Sequence, residues 1–202
     1  MNLNNYVKIV VMKIKYKLIY IFMQFPRIVK YNILSSCKDV IGKPNFIQPV
    51  MIVGKGEVFF GTNVSIGVCK SPFCYSGYTY IEARNNFSVV KFGNNVVVNN
   101  NCSFISERDG ILIGDNVLIG TSCELIDSDF HELDPDKRKN AVAKKGKVVI
   151  GNNVFLGSNV KVMKNVIIGD NSVVANGSVV TKSIPKNVVA GGNPARILRN
   201  LQ

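Results

Sequence analysis

One histidine, His131, stands in this 202-residue chain, inside the run Asp127-Ser-Asp-Phe-His131. An imidazole ionises near neutral pH, so it can take the proton of a hydroxyl as that oxygen attacks an acyl carbon, which is the work of a general base. Its second ring nitrogen then needs an acceptor, and Glu132, Asp129, Asp127 or a backbone carbonyl are the nearest in sequence. On position alone, a solvated loop histidine is the commoner explanation. No Ser-His or Cys-His motif accompanies it, so chemistry at this residue would proceed by direct attack of an acceptor rather than through an acyl-enzyme. The five cysteines, Cys37, Cys69, Cys74, Cys102 and Cys123, are odd in number and lack metal-ligand spacing. No metal is expected, and the thiols are read as reduced ones in a cytoplasmic protein.

The elements that position His131 are written in a six-residue period. From Ile150 to Ile184 an aliphatic residue opens every hexad, at Ile150, Leu156, Val162, Ile168, Val174 and Val180. Four places later stand Val154, Val160, Val166, Ser172, Ser178 and Ile184. A helix would repeat near 3.6 and a two-sided strand at 2, whereas six fits a short strand and a tight turn. Gly-Asn-Asn, Gly-Ser-Asn and Gly-Asp-Asn supply turns that tolerate positive φ. Three such faces close a triangular coil of roughly 18 residues, with like side chains stacked along the core. The period also runs through Phe60, Ile66, Phe92, Val98, Phe104, Ile113, Ile119 and Leu125. Cys102 and Cys123 occupy small inward positions and are expected to pack in the core.

Three blocks, Asp127 to His131, Val149 to Thr181, and Asn187-Val-Val-Ala-Gly-Gly-Asn-Pro-Ala-Arg196, carry a resemblance to the hexapeptide-repeat acyltransferases. The match is nearest to their galactoside, maltose and nodulation-factor acetyltransferase branch. It covers roughly residues 50 to 200. The resemblance implies an all-β solenoid, a left-handed parallel β-helix, and a homotrimer with sites between subunits. It implies acetyl-CoA as co-substrate and His131 as the catalytic base. Ser158 matches a serine at the thioester end, and Asn176 a small residue at the pantetheine amide, where alanine is usual. Thr181 and Lys182 lie farther along the cofactor, and Arg196 and Arg199 match tail arginines near the nucleotide phosphates, where paired donors suit phosphate. For the acceptor, Asn100 matches an asparagine on the sugar hydroxyl, with Asp109 a weaker counterpart. Ordinary turn chemistry explains Ser158, Thr181 and Asn99 to Asn101 as readily. A single histidine argues against the related β-helical carbonic anhydrases, which need three on zinc.

Two intervals leave the period. Val68 to Tyr80 reads as an inserted loop. Between Leu125 and Ile150 the spacing is not a multiple of six, so Asp127 to Lys147 must leave the coil as an exposed arm. That arm carries Lys137, Arg138, Lys139, Lys144, Lys145 and Lys147. Asn193-Pro194 reads as a helix start, predicting a short C-terminal helix over Ala195 to Leu201. The domain plan is therefore an N-terminal helical segment 1–41, a β-helix 42–184 with loop 127–147, and a tail 185–202.

In the N-terminal segment, Val7, Val10, Val11, Ile14, Leu18, Ile21, Phe22 and Phe25 share one helical face, with Lys8, Lys13, Lys15, Arg27 and Lys30 off it. No apolar run is long enough to span a bilayer, and no cleavage site follows. The preferred use is a cap on the first coil or packing on a neighbouring subunit; the other is docking on the anionic inner face of a membrane. Lys and Arg number 25 against 13 Asp and Glu, a net charge of +12, which calls for anionic partners. Nucleic acid is excluded, since the bases are scattered through turns with no groove-entering helix. The expected function is acetyl-CoA-dependent O-acetylation of a sugar hydroxyl, in a surface polysaccharide such as capsule or O-antigen or in its precursor. N-acetylation of an amino-sugar nucleotide, acetylation of a small molecule, or a non-catalytic scaffold are the competing readings.

Overall fold

The computed structural model describes residues 3–138 and 143–201. Short strands stack in three parallel sheets that form the sides of a prism. The first side runs through Asp39–Ile41, Glu57–Phe60, Val89–Phe92, Ile111–Ile113, Val148–Ile150 and Ile167–Ile168. The second follows Asn45–Phe46, Ser65–Ile66, Val97–Val98, Leu118–Ile119, Phe155–Leu156 and Val173–Val174. The third comprises Val50–Gly54, Thr79–Ala83, Ser103–Ser106, Glu124–Ile126, Lys161–Val162 and Val179–Val180. The chain visits them in rotation, so each coil contributes one strand to every side.

The period sets the register. Ile150 pairs with Ile168, Leu156 with Val174 and Val162 with Val180. These openers are buried, as are Val154, Val160, Val166, Ser172 and Ser178 beneath the turns. Aromatic openers continue the stack in the earlier coils, with the Phe60 and Phe92 rings 5.1 Å apart and the Phe92 and Phe104 rings 5.0 Å apart. The corners use asparagine twice. Asn153, Asn159, Asn165 and Asn171 all have φ between 55° and 61°, a conformation asparagine tolerates better than most residues. On one edge the carboxamides also bond from coil to coil, Asn153 Nδ2 to Asn171 Oδ1 at 3.1 Å and Asn171 Nδ2 to Asn187 Oδ1 at 2.8 Å.

Departures from the period are extruded. Neighbouring corner residues are 18 positions apart in the regular coils, 21 across the turn near Glu107, 32 across the loop after Ile66, and 37 across the arm. The arm is thus 19 residues that the core does not need. The inserted loop is slightly shorter than expected, because Thr79 and Tyr80 already belong to a strand. Likewise Asp39–Ile41, assigned above to the helical segment, forms the first strand of the prism, pairing with Glu57–Phe59.

The N-terminal segment comprises α1 (Leu3–Ile19), a single π-helical turn (Tyr20–Gln24) and α2 (Phe25–Leu34). Gln24 anchors it, buried, with Nε2 donating to Ile47 O at 2.7 Å and Cys74 O at 3.0 Å. Arg27 adds a bond to Gly77 O at 2.6 Å. The segment therefore grips the inserted loop.

The expected C-terminal helix is replaced by a strand. Ala195–Asn200 runs antiparallel to Val188–Gly192, which itself pairs with Val173–Val174 at the end of the second side. A helix of seven residues is marginal in water, whereas an open sheet edge offers a full row of unpaired backbone groups. Edge pairing prevails, and the hairpin turn at Gly192 to Pro194 contains a cis Asn193–Pro194 peptide.

Candidate functional site

The arm leaves the prism where the third side gives way to the first, and one buried carboxylate organises that corner. Asp127 is wholly buried. Its oxygens accept from Ser106 Oγ at 2.8 Å, Glu107 N at 2.6 Å, Gly110 N at 2.8 Å and Arg108 N at 3.3 Å. Its carbonyl accepts Gly146 N at 2.9 Å, which ties the outgoing to the returning end of the arm. Next door, Asp129 N donates to Lys144 O at 3.1 Å, and Asp129 Oδ1 holds Lys164 Nζ at 2.6 Å. Ser128 Oγ donates to Glu107 Oε2 and accepts Phe130 N at 2.9 Å. Phe130, at φ 60°, turns the chain beneath the Arg84 guanidinium, 4.7 Å from its ring.

His131 follows immediately, its main-chain N–H bonded to Asp129 O at 2.7 Å. Backbone and neighbours are thus pinned while the ring is exposed. None of the three carboxylates suggested as its orienting acceptor serves that purpose: Asp127 is filled by the turn Glu107 to Gly110, Asp129 holds Lys164, and Glu132 accepts Leu133 N at 3.0 Å. Among the described residues no side-chain bond reaches the His131 ring. Lys139, one of the six bases assigned to the arm, lies outside the described residues.

The remaining candidates sit at other edges. Ser158 and Asn176 stack in successive coils at the corner between the second and third sides, where Asn176 Oδ1 accepts Ser158 N at 2.8 Å. That bond leaves the Ser158 hydroxyl, not its amide, available to a ligand. Thr181 and Lys182 are exposed at the corner between the third and first sides, the same edge as the arm and two coils beyond it. Arg196 and Arg199 are exposed on the final hairpin strand. Their guanidinium groups bond only to main-chain oxygens next to them, and neither is in an ion pair among the described residues. A single chain therefore separates His131 from Ser158 and Asn176 by the width of the third side.

Asn100 is reassigned by its surroundings. It is wholly buried, Nδ2 donates to Val68 O and Pro72 O at 2.9 Å each, and Oδ1 accepts Val68 N at 3.0 Å. It fastens the inserted loop, with both its carboxamide oxygen and nitrogen engaged there. Asp109 is exposed in the turn that Asp127 holds. Beside that turn lies a shallow basic depression lined by Lys55, Asn85, Asn86, Phe87, Arg108 and Lys145. Sequence inspection missed it, because its three cations lie in separate coils. Lys145 is 3.9 Å from Glu107, which links the depression to the root of the arm.

Residues 147–182 match the family model described as bacterial transferase hexapeptide (six repeats). The galactoside O-acetyltransferase of Lactococcus lactis subsp. lactis (strain IL1403) is 41% identical over 112 residues, 55% of this chain and 53% of that protein. The protein of the same name from Escherichia coli (strain K12) is 41% identical over 114 residues, 56% of this chain and 55% of its own. The chain thus spans about half the length of these relatives. Among solved structures, an N-acyltransferase from Bacillus cereus in complex with dTDP and 3-hydroxybutyryl-CoA matches with TM-score 0.60 at 20% identity, covering 84% of each chain, a likeness of fold. Repeat, coil and relatives agree that residues 147–182 carry the hexapeptide repeat of bacterial transferases and that the chain is built as a left-handed parallel β-helix.

Proposed function

We propose that the protein is an acetyl-CoA-dependent O-acetyltransferase that acts on a sugar hydroxyl, with His131 as general base. The observation that carries this reading is the corner itself: a lone imidazole held outward on a pinned backbone, with its ring nitrogens uncommitted among the described residues. Two relatives named galactoside O-acetyltransferase support the sugar and the acetyl group. Acetyl-CoA supplies the acetyl group as an activated thioester. His131 takes the acceptor hydroxyl proton on a ring nitrogen as the oxygen attacks, and returns it to the departing sulfur. The Ser158 hydroxyl is the donor for the developing oxyanion. Arg196, Arg199 and Lys182 fit the diphosphate end, being exposed cations outside any ion pair among the described residues; Asn176 and Thr181 flank the path between. The separation of His131 from Ser158 across one side favours a site shared by two subunits of a homotrimer. An outward apolar strip of Leu118 and Phe155, both about half exposed and paired across the second side, offers a surface for that contact.

For the acceptor, the basic depression of Lys55, Arg108 and Lys145 favours an acidic glycan, such as a surface polysaccharide or its precursor. A panel of neutral and acidic glycans incubated with protein and acetyl-CoA, read by free CoA release and by mass spectrometry, tests the reading. An ester on an acidic glycan supports it; acetylation confined to an amine would replace it with amino-sugar N-acetylation.

A further inference from the structure

Seven of the chain's bases, Lys8, Lys13, Lys15, Lys17, Arg27, Lys30 and Lys38, precede its first acidic residue, Asp39. The helical segment that carries six of them is almost wholly exposed, including large apolar side chains: Phe22 at 73%, Val11 at 57% and Ile14 at 54%. At about 100° per residue, Val7, Val10, Val11, Ile14 and Leu18 of α1, at spacings of three and four, occupy a stripe roughly 100° wide. Lys8 and Lys15 lie along one flank of that stripe, Lys13 and Lys17 along the other. Tyr16 and Tyr20 lie opposite it, and with Gln24 they line a cleft against Cys69, Cys74 and Tyr75 of the inserted loop. Lys70 Nζ sits 5.3 Å from the Tyr16 ring. The helix is therefore held by its back, and its apolar stripe points away from the body it is anchored to. Covering of the first coil falls instead to α2, whose Ile28 and Asn32 face Phe46, Val50 and Ile52.

We propose that this stripe lies on an anionic lipid surface, with the flanking lysines reaching the headgroups. Apolar side chains at a headgroup boundary and lysine stems that bury their methylenes while keeping the charge wet are what such a surface accommodates. No described helix is long and apolar enough to cross a membrane, and four lysines within α1 suit lying flat. A second copy of this chain is the poorer partner, since it brings a further +12 to a strip that holds only cations. The inference is independent of the acyl-transfer reading.

The test uses the full-length protein with vesicles of phosphatidylcholine alone or mixed with phosphatidylglycerol, at low and high salt. Sedimentation with the mixed vesicles only, weakened by salt, is expected. Ile14→Glu with Leu18→Glu, both at exposed positions, should cut partitioning at least about tenfold while leaving the unfolding midpoint unchanged. Replacing α1 lysines by glutamine should cost roughly fivefold each. Three results would overturn the proposal: equal binding to phosphatidylcholine alone, undiminished binding of the double variant, or a changed lipid-free sedimentation coefficient in that variant, which would put the stripe between copies of the chain.

Discussion

Replacing Asp127 by alanine tests whether one carboxylate builds the corner that presents His131. The wild-type carboxylate receives four donors, three of them at 2.6–2.8 Å. Bonds to a charged acceptor contribute about 1.5–3 kcal/mol each, but they are not additive, and exposed donors recover water. The firmer count uses only Ser106 and Gly110, both buried. Leaving a buried donor without a partner costs about 1–3 kcal/mol, so the loss should be roughly 4 kcal/mol, a large share of the 5–15 kcal/mol typical of domain stability. Asp127→Asn keeps one acceptor oxygen but turns an amide NH2 toward main-chain donors, so about half that loss is expected. Urea unfolding of the three proteins measures it, with the m-value confirming that the exposed surface is unchanged. An alanine variant within about 1 kcal/mol of wild type would refute the assignment of Asp127 as the organiser of the corner.

Asn100→Ala removes the four side-chain bonds to the inserted loop and should lower stability by roughly 2–3 kcal/mol with an unchanged acceptor KM; a raised KM at unchanged stability would return Asn100 to the acceptor site. The hydrogen bond with Cys123 and complete burial hold the Cys102 thiol well above its ordinary 9.0. Its contribution is full below pH 9.0 and fades above it, because the unfolded thiol ionises while the folded one stays protonated. That adds a stability loss of up to about 1.4 kcal/mol per pH unit, and Cys102→Ala should flatten the slope in unfolding curves taken across pH 8 to 11.

The prism was readable because its core repeats one decision: the same class of residue at Ile150, Leu156 and Val162 meets its counterpart one coil on. Insertion lengths followed from the same count, which is why the arm after Leu125 could be placed. What escaped were contacts made at a distance in sequence. Asp127 looked like a candidate to orient His131, and only folding shows it consumed by Ser106 and the turn Glu107 to Gly110, 17 to 21 positions away. Asn193-Pro194 carries a sound local helix signal, yet the open edge at Val188–Gly192 outbids it, and no local pattern in Arg196 to Arg199 records that edge. Asp39–Ile41 gave no alternation to read, since its three residues are all exposed. The resemblance points to His131 as a candidate base; the fold adds how its backbone is pinned at Asp129 O.

The central claim is that the His131 ring performs the proton transfer. Its most direct test is the single-turnover rate of acetyl transfer by His131→Ala against wild type, with the glycan product verified by mass spectrometry and the unfolding midpoint shown to be unchanged. A fall of about 10²- to 10⁴-fold is expected, the usual contribution of a positioned base. A variant that transfers acetyl at the wild-type rate would contradict it.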